Sequence, residues 1–234
     1  MERCQMDEVT QLTFTNTIRN KMKLEDLKKP LSISDIDFRI QSINKGGYAT
    51  ILAYKDARVD MNRLDEVVGA ENWQRDHKEI HGVVYCGVGI NAEVMYEDKS
   101  IGTKIPVKSG FVWKWDAGSE SFTDKQKGEA SDSFKRACFN WGIGRELYDY
   151  PIIQVELNKK EYIVDGNGKA KATWNLRLKD WVWHSQFKDG KLNFLHARDN
   201  FGDERFSWGT FDKDRYKEEN TSEETKEKIN YISD

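Results

Sequence analysis

The sequence predicts an α+β fold: an antiparallel β-meander packed against a long basic helix, with additional C-terminal β-hairpins. Three observations carry that expectation. Val84, Cys86, Val88 and Ile90 alternate with Tyr85, Gly87 and Gly89, the period of two that suits a half-buried strand. Ala130, Phe134, Ala137 and Trp141 recur at spacings of four, three and four, which places them on one helical face. Beyond Pro151, short β-rich runs are separated by Asp165-Gly166-Asn167-Gly168, Asp189-Gly190 and Asn200-Phe201-Gly202-Asp203, all hairpin-turn chemistry.

Taken in chain order, residues 1–30 are polar, with a weak helical pattern at Met22, Leu24 and Leu27, and read as a loosely held arm. Ile36, Ile40 and Ile43 recur at helical spacing, which predicts a helix from Ser34 to Asn44, broken by Gly46-Gly47. Tyr48 to Lys55 is a short strand. Asp60 then caps a helix through Val68, with Met61, Leu64, Val67 and Val68 on one face and Gly69 at its end. Three strands follow, Trp73 to Ile80, Val83 to Tyr96 and Thr103 to Trp115, with turns at His81-Gly82 and Glu97 to Ser100.

A third helix begins at Thr123, whose hydroxyl can form a capping box with Gln126, and ends at Gly142 and Gly144. Its adjacent Lys135 and Arg136 project about 100° apart, beside the apolar stripe. After Pro151 the strands are Ile152 to Leu157, Glu161 to Val164, Ala172 to Trp183, Leu192 to Arg198 and Glu204 to Trp208. The expected organisation is therefore an arm (1–30), an α+β core (31–150), a β-rich extension (151–211) and a charged, disordered tail (212–234).

Composition narrows the function. Among 234 residues, eight tryptophans and 38% hydrophobic content support a real core despite 33% charged residues. No apolar run is long enough to span a bilayer and no secretory leader pattern opens the chain, so a soluble, cytoplasmic protein is expected. Cys4, Cys86 and Cys138 are far apart and fit neither a disulfide framework nor a Cys-x-x-Cys site; Cys86 and Cys138 read as packed side chains. Net charge is −3, yet residues 212–234 hold eight acidic and five basic groups, so the rest is neutral. Residues 103–145 carry eight cations against five acids, a local basic stripe compatible with phosphate binding.

Catalytic chemistry finds little support. There is no G-x-x-x-x-G-K-[ST] phosphate loop, and Gly46-Gly47 and Gly87-Val88-Gly89 lack the following lysine. His77-Lys78-Glu79-Ile80-His81 superficially matches zinc spacings, but no Cys-x-x-Cys follows it. No carboxylate pair stands out for a metal-dependent nuclease. The expectation is a protein with no cofactor, no metal and no catalytic residues.

The string SDSFKRACFNWG carries a resemblance. Ser131, Asp132, Phe134, Lys135, Arg136, Ala137 and Gly142 fill a helix motif similar to that of the Rad-fifty-two-type single-strand annealing proteins, a recombination family that includes the phage Sak proteins. Upstream, Tyr54, Arg58, Val59, Asn62, Glu66, Gly69 and Trp73 stand in the order that family shows, so the resemblance spans roughly residues 31 to 150. It implies an ATP-independent, non-enzymatic protein that binds single-stranded DNA, anneals complementary strands and assembles into a ring. Lys135 and Arg136 would line the floor of a groove between helix and sheet. Arg58 matches a backbone-contacting position across a one-residue gap, and Lys125, Lys127 and Lys114 are outer candidates. Phe139 stands where the family has a further arginine; it can pack against a neighbouring subunit or offer a stacking face. A host or phage single-strand-binding protein is a further candidate partner, and the location would be the cytoplasm, that of a bacterial host for a phage-encoded member.

Without the resemblance, the residues alone leave other readings open: an ordinary surface helix with two solvated cations, a structural or oligomerisation protein whose basic face is a subunit contact, a generic nucleic-acid-binding module without annealing activity, or a metal-dependent nuclease.

Overall fold

The computed structural model describes residues 24–98, 103–118 and 125–213. In chain order its elements are β1 (Asp37–Ile43), β2 (Tyr48–Tyr54), α1 (Ala57–Val68), β3 (Trp73–Ile80), β4 (Val83–Asp98), β5 (Thr103–Ala117), α2 (Lys125–Trp141), β6 (Ile153–Glu156), β7 (Tyr162–Val164), β8 (Ala170–Ala172), β9 (Val182–Lys188), β10 (Lys191–Arg198) and β11 (Glu204–Gly209). The architecture is α+β with antiparallel sheets. Two compact units share the chain: among the described residues, one holds 24–29 and Asp56–Arg145, the other Pro30–Lys55 and 146–213.

In the first unit β3, β4 and β5 form an antiparallel sheet in that order. The β3–β4 turn is made by His81 and Gly82, both at positive φ, as a two-residue hairpin between Ile80 and Val83 demands. Register then sorts the faces. Val88 lies opposite Arg75 and Lys114, whereas Gly87 lies opposite Asp76 and Trp115. Cys86, Val88 and Ile90 are buried, and α2 lays its stripe against that side, with Phe134 and Ala137 buried in turn. The Phe134 ring sits 6.1 Å from that of Trp73, and the Arg75 guanidinium lies 5.4 Å over it. Burying Phe134 contributes about 1.5–3 kcal/mol. The Trp141 indole N–H donates to the Val88 carbonyl at 2.9 Å, which ties the last turn of α2 to the central strand. Thr123, the expected cap of this helix, lies outside the described residues.

Helix α1 starts one turn earlier than its sequence signal. Asp56 is the cap, accepting from the Arg58 backbone N–H at 2.9 Å, while Asp60 is buried inside the first turn. Residues 24–28 form a 3-10 turn whose Leu27 is fully buried, and Arg63 donates to the carbonyls of Asp26 and Lys29. This end of the expected loose arm is therefore held; residues 1–23 lie outside the described residues.

The second unit pairs two three-stranded sheets, β1-β2-β6 and β11-β10-β9, with a small β7–β8 hairpin. Its core joins Ile51, Ile153 and Val155 to Trp181, Trp183, Leu192, Leu195 and Ala197, and Phe38 stacks on Trp183 at 3.6 Å. Two sequence expectations fail here. Ser34 to Asn44 is mainly the strand β1, paired antiparallel with β2, and not a helix; a bulge between Ile40 and Ser42 inserts Gln41. That extra residue shifts the alternation, so Ile40 and Ile43 acquire a helix-like spacing inside a strand. Ala172 to Trp183 is not one strand either. The Thr173 hydroxyl and the Asn175 amide both donate to the Lys160 carbonyl, and these side-chain bonds replace the ladder until β9 begins at Val182.

Candidate nucleic-acid interface

Lys135 and Arg136 follow the buried Phe134 and precede the buried Ala137, so the helix turn carries both away from the apolar stripe. Arg136 reaches β5. Its Nε donates to Asp116 Oδ1 at 3.2 Å, and its side chain stays half exposed. Asp116 is itself positioned, since its carboxylate accepts from the Ala117 N–H at 2.8 Å and from the Asn140 amide at 3.2 Å. The Asp56 carboxyl at the cap of α1 is lowered chiefly by its hydrogen bonds from Arg58, and the charge of Lys135 is the last of the contributions.

Arg58 is the third member of this constellation. Its Nε donates to Asp56 Oδ1 at 2.8 Å, and its side chain is 84% exposed. The hydrogen bonds from the Arg58 side chain and backbone hold the Asp56 carboxyl below the usual carboxylate range. Three cations thus stand around two carboxylates. The Arg58–Asp56 pair is exposed, and pairs of that kind contribute about 0–1 kcal/mol, whereas Arg136 is half exposed beside a more enclosed Asp116.

Of the remaining candidates, one is placed elsewhere. Lys114 lies on the helix-facing side of β5, where its ammonium donates to the Asn140 carbonyl at 2.8 Å and sits 4.3 Å from the Trp141 ring. Burial, then the charges of Arg145 and Lys28, pull its pKa down. This is a cation serving the C-terminal end of α2, where carbonyls lack helical donors. Arg145 does the same, donating to the carbonyls of Phe139 and Asn140 at 2.9 Å, and its guanidinium lies 5.7 Å over the Phe139 ring. Lys125 and Lys127 belong to the first turn of α2, and their side chains lie outside the described residues.

Sequence reasoning missed the carboxylates Asp56 and Asp116, which set the geometry of the cations. It also missed an aromatic row on the other side of the same sheet, Phe111, Trp113 and Trp115, although their period of two opposite Gly87 and Gly89 was the available signal. Among the described residues no group of His, Cys, Asp and Glu could hold a metal ion, and no helix is long and apolar enough to cross a membrane. Cys86 is a packed thiol, pushed up to about 11 by burial.

The fold and this surface define an α+β protein that sets cations at the edge of a helix-backed antiparallel sheet. Residues 19–163 match the Rad52/22 family of double-strand break repair proteins, and the chain belongs to that family. The match takes in all of β1–β6 and both helices and ends within β7. No curated protein matches the chain. Membership places the protein in DNA repair and recombination.

Proposed function

We propose that this protein anneals complementary single strands without nucleotide, holding the DNA backbone on Arg58, Lys135 and Arg136, with Lys125 and Lys127 extending the path. The observation that carries the reading is the constellation itself: three cations on α1 and α2, each outside the buried core, with Arg58 bonded to Asp56 and Arg136 to Asp116 at the surface. A surface that grips phosphates leaves base edges free for pairing and lowers repulsion between two strands. No ATP is required, because duplex formation is downhill by roughly 1.4 kcal/mol per step.

The active form is a ring or helical oligomer, and the protein is a binding machine rather than an enzyme, working in the cytoplasm alongside a single-strand-binding protein. An open sheet supports self-association, since its outer strands β3 and β5 each have one paired edge among the described residues. The test is annealing of complementary oligonucleotides with and without protein, in the absence of nucleotide, beside electron microscopy of the free protein. Faster annealing by oligomers without ATP is the expected result. A strict ATP requirement, equal affinity for duplex, or metal-dependent degradation of the strands would overturn the reading.

A further inference from the structure

The face of the β3–β4–β5 sheet turned away from α2 carries an unusual floor. Gly87 and Gly89 on β4 lie opposite Trp115 and Trp113 on β5. A methyl group built on Gly87 would meet three Trp115 ring atoms at 2.6–2.7 Å, and one on Gly89 would meet Trp113 ring atoms at 2.8–3.0 Å. Each indole therefore lies down on the bare backbone of the neighbouring strand, a posture that any side chain at either glycine would prevent. The two rings are side by side, 5.7 Å between centroids and 26° between planes, and Phe111 continues the row 6.2 Å beyond Trp113. With its inner face on glycine, Trp113 turns its other face outward, and the outer face of Trp115 carries the Lys78 ammonium.

Charge accompanies the floor. Lys78 on β3 rests its ammonium 4.2 Å from the Trp115 ring centroid, so a cation stands at the aromatic surface. Gln74, Asp76 and Asn91 share this side of the sheet by register. Two subunits that interlock need projecting side chains to fill one another's gaps. A flat aromatic floor with a cation beside it is complementary instead to planar bases on an anionic chain.

We infer that Trp113 and Trp115, with Lys78, form a base-stacking site for single-stranded DNA, distinct from the phosphate-gripping cations on α1 and α2. It rests on the annealing reading above and adds to it a second mode of contact, through base planes. Stacking on an indole is tolerant of sequence because every base has a π face, and it leaves the pairing edges of the base uncovered.

The experiment compares unmodified protein binding to an oligothymidylate and to an abasic phosphodiester strand of equal length, by anisotropy across a salt series, with tryptophan fluorescence and particle mass recorded in parallel. The expected result is weaker binding of the abasic strand by at least about fivefold, quenching by the oligothymidylate alone, and a salt dependence shared by both. Trp115→Ala should shrink the discrimination at unchanged particle mass, while Trp115→Phe should retain most of it. Equal affinity for the two strands in the unmodified protein overturns the inference and leaves the phosphate-gripping reading standing. Smaller particles in Trp115→Ala with discrimination intact would assign this face to a second copy of the chain instead. Failure to bind either strand would overturn the annealing reading as well.

Discussion

Arg136 and Arg205 make the same bond to a carboxylate and serve different purposes. In the first unit, Arg136 meets Asp116 at 3.2 Å with about half its side chain in water. In the second, Arg205 is 7% exposed between Glu161 and Asp199, which it contacts at 2.8 and 3.0 Å, and it lies 4.5 Å over the Trp181 ring. Burial works against the charge of Arg205, yet its hydrogen bonds to Glu161 and Asp199 hold the guanidinium above its ordinary pKa. A guanidinium enclosed this way cannot be released without leaving two carboxylates uncompensated. Solvent access, more than residue type, separates a cation committed to the fold from one available to a ligand.

The contrast is broken most forcefully at Arg205. Arg205→Met should destabilise the protein by about 3–5 kcal/mol, because Glu161 and Asp199 would remain buried without a counter-charge. Urea denaturation reads this directly, and single-strand affinity measured where the variant is still folded should not change. A loss below about 1 kcal/mol would place Arg205 in the same exchangeable class as Arg136.

The opposite behaviour is expected for the exposed pair. Lys135→Ala with Arg136→Ala should leave stability within about 1 kcal/mol, since alanine favours helix and neither side chain belongs to the core. The slope of log affinity against log salt should flatten by about 0.7 for each lost phosphate contact, roughly 1.4 in all. Lys114→Met sharpens the test: it should cost stability through the lost contact with the Asn140 carbonyl and leave the salt slope as it was. A flattened slope in Lys114→Met would move that lysine into the DNA path.

Much of this was legible in the sequence, and the failures have physical causes. The strand Trp73–Ile80, the stripe of α2 and the Asp189-Gly190 turn follow from period and turn chemistry, which are local. Strand β1 was hidden because one bulged residue rewrote its spacing. The cap of α1 was misplaced because Asp56 and Asp60 are equally good caps by type, and only burial of the second decides between them. The position of Lys114 under α2 was not legible, because a sequence does not say which side of a strand a helix will cover. The aromatic floor needs the register of β4 against β5, a pairing set at long range.

The smallest expected effect is one of pH in the second unit. His196 is 1% exposed, and burial lowers its pKa against the opposing influence of Glu204. The unfolded chain takes up the proton first, so stability should be full above about pH 6.5 and fall as pH drops from there through the folded pKa. Thermal unfolding between pH 7.5 and 5.5 should show the decline, and His196→Gln should flatten it. An unchanged slope in that variant would assign the pH dependence to other groups.

The second unit is interrupted in sequence, and this orders the events of synthesis. Ile51 on β2 pairs with Ile153 on β6, and everything from Asp56 to Arg145 is translated between them. At about 5–20 residues per second, β1 and β2 wait on the order of 5–20 s for the strand that completes their sheet. The first unit has all of its helices and strands by then. A ribosome that releases the chain at residue 150 would deliver the meander and both helices, but strand β2 would be left with an open edge, a ready template for another chain. The place where the chain can be shortened is therefore set by the pairing of β2 with β6 rather than by the last residue of α2.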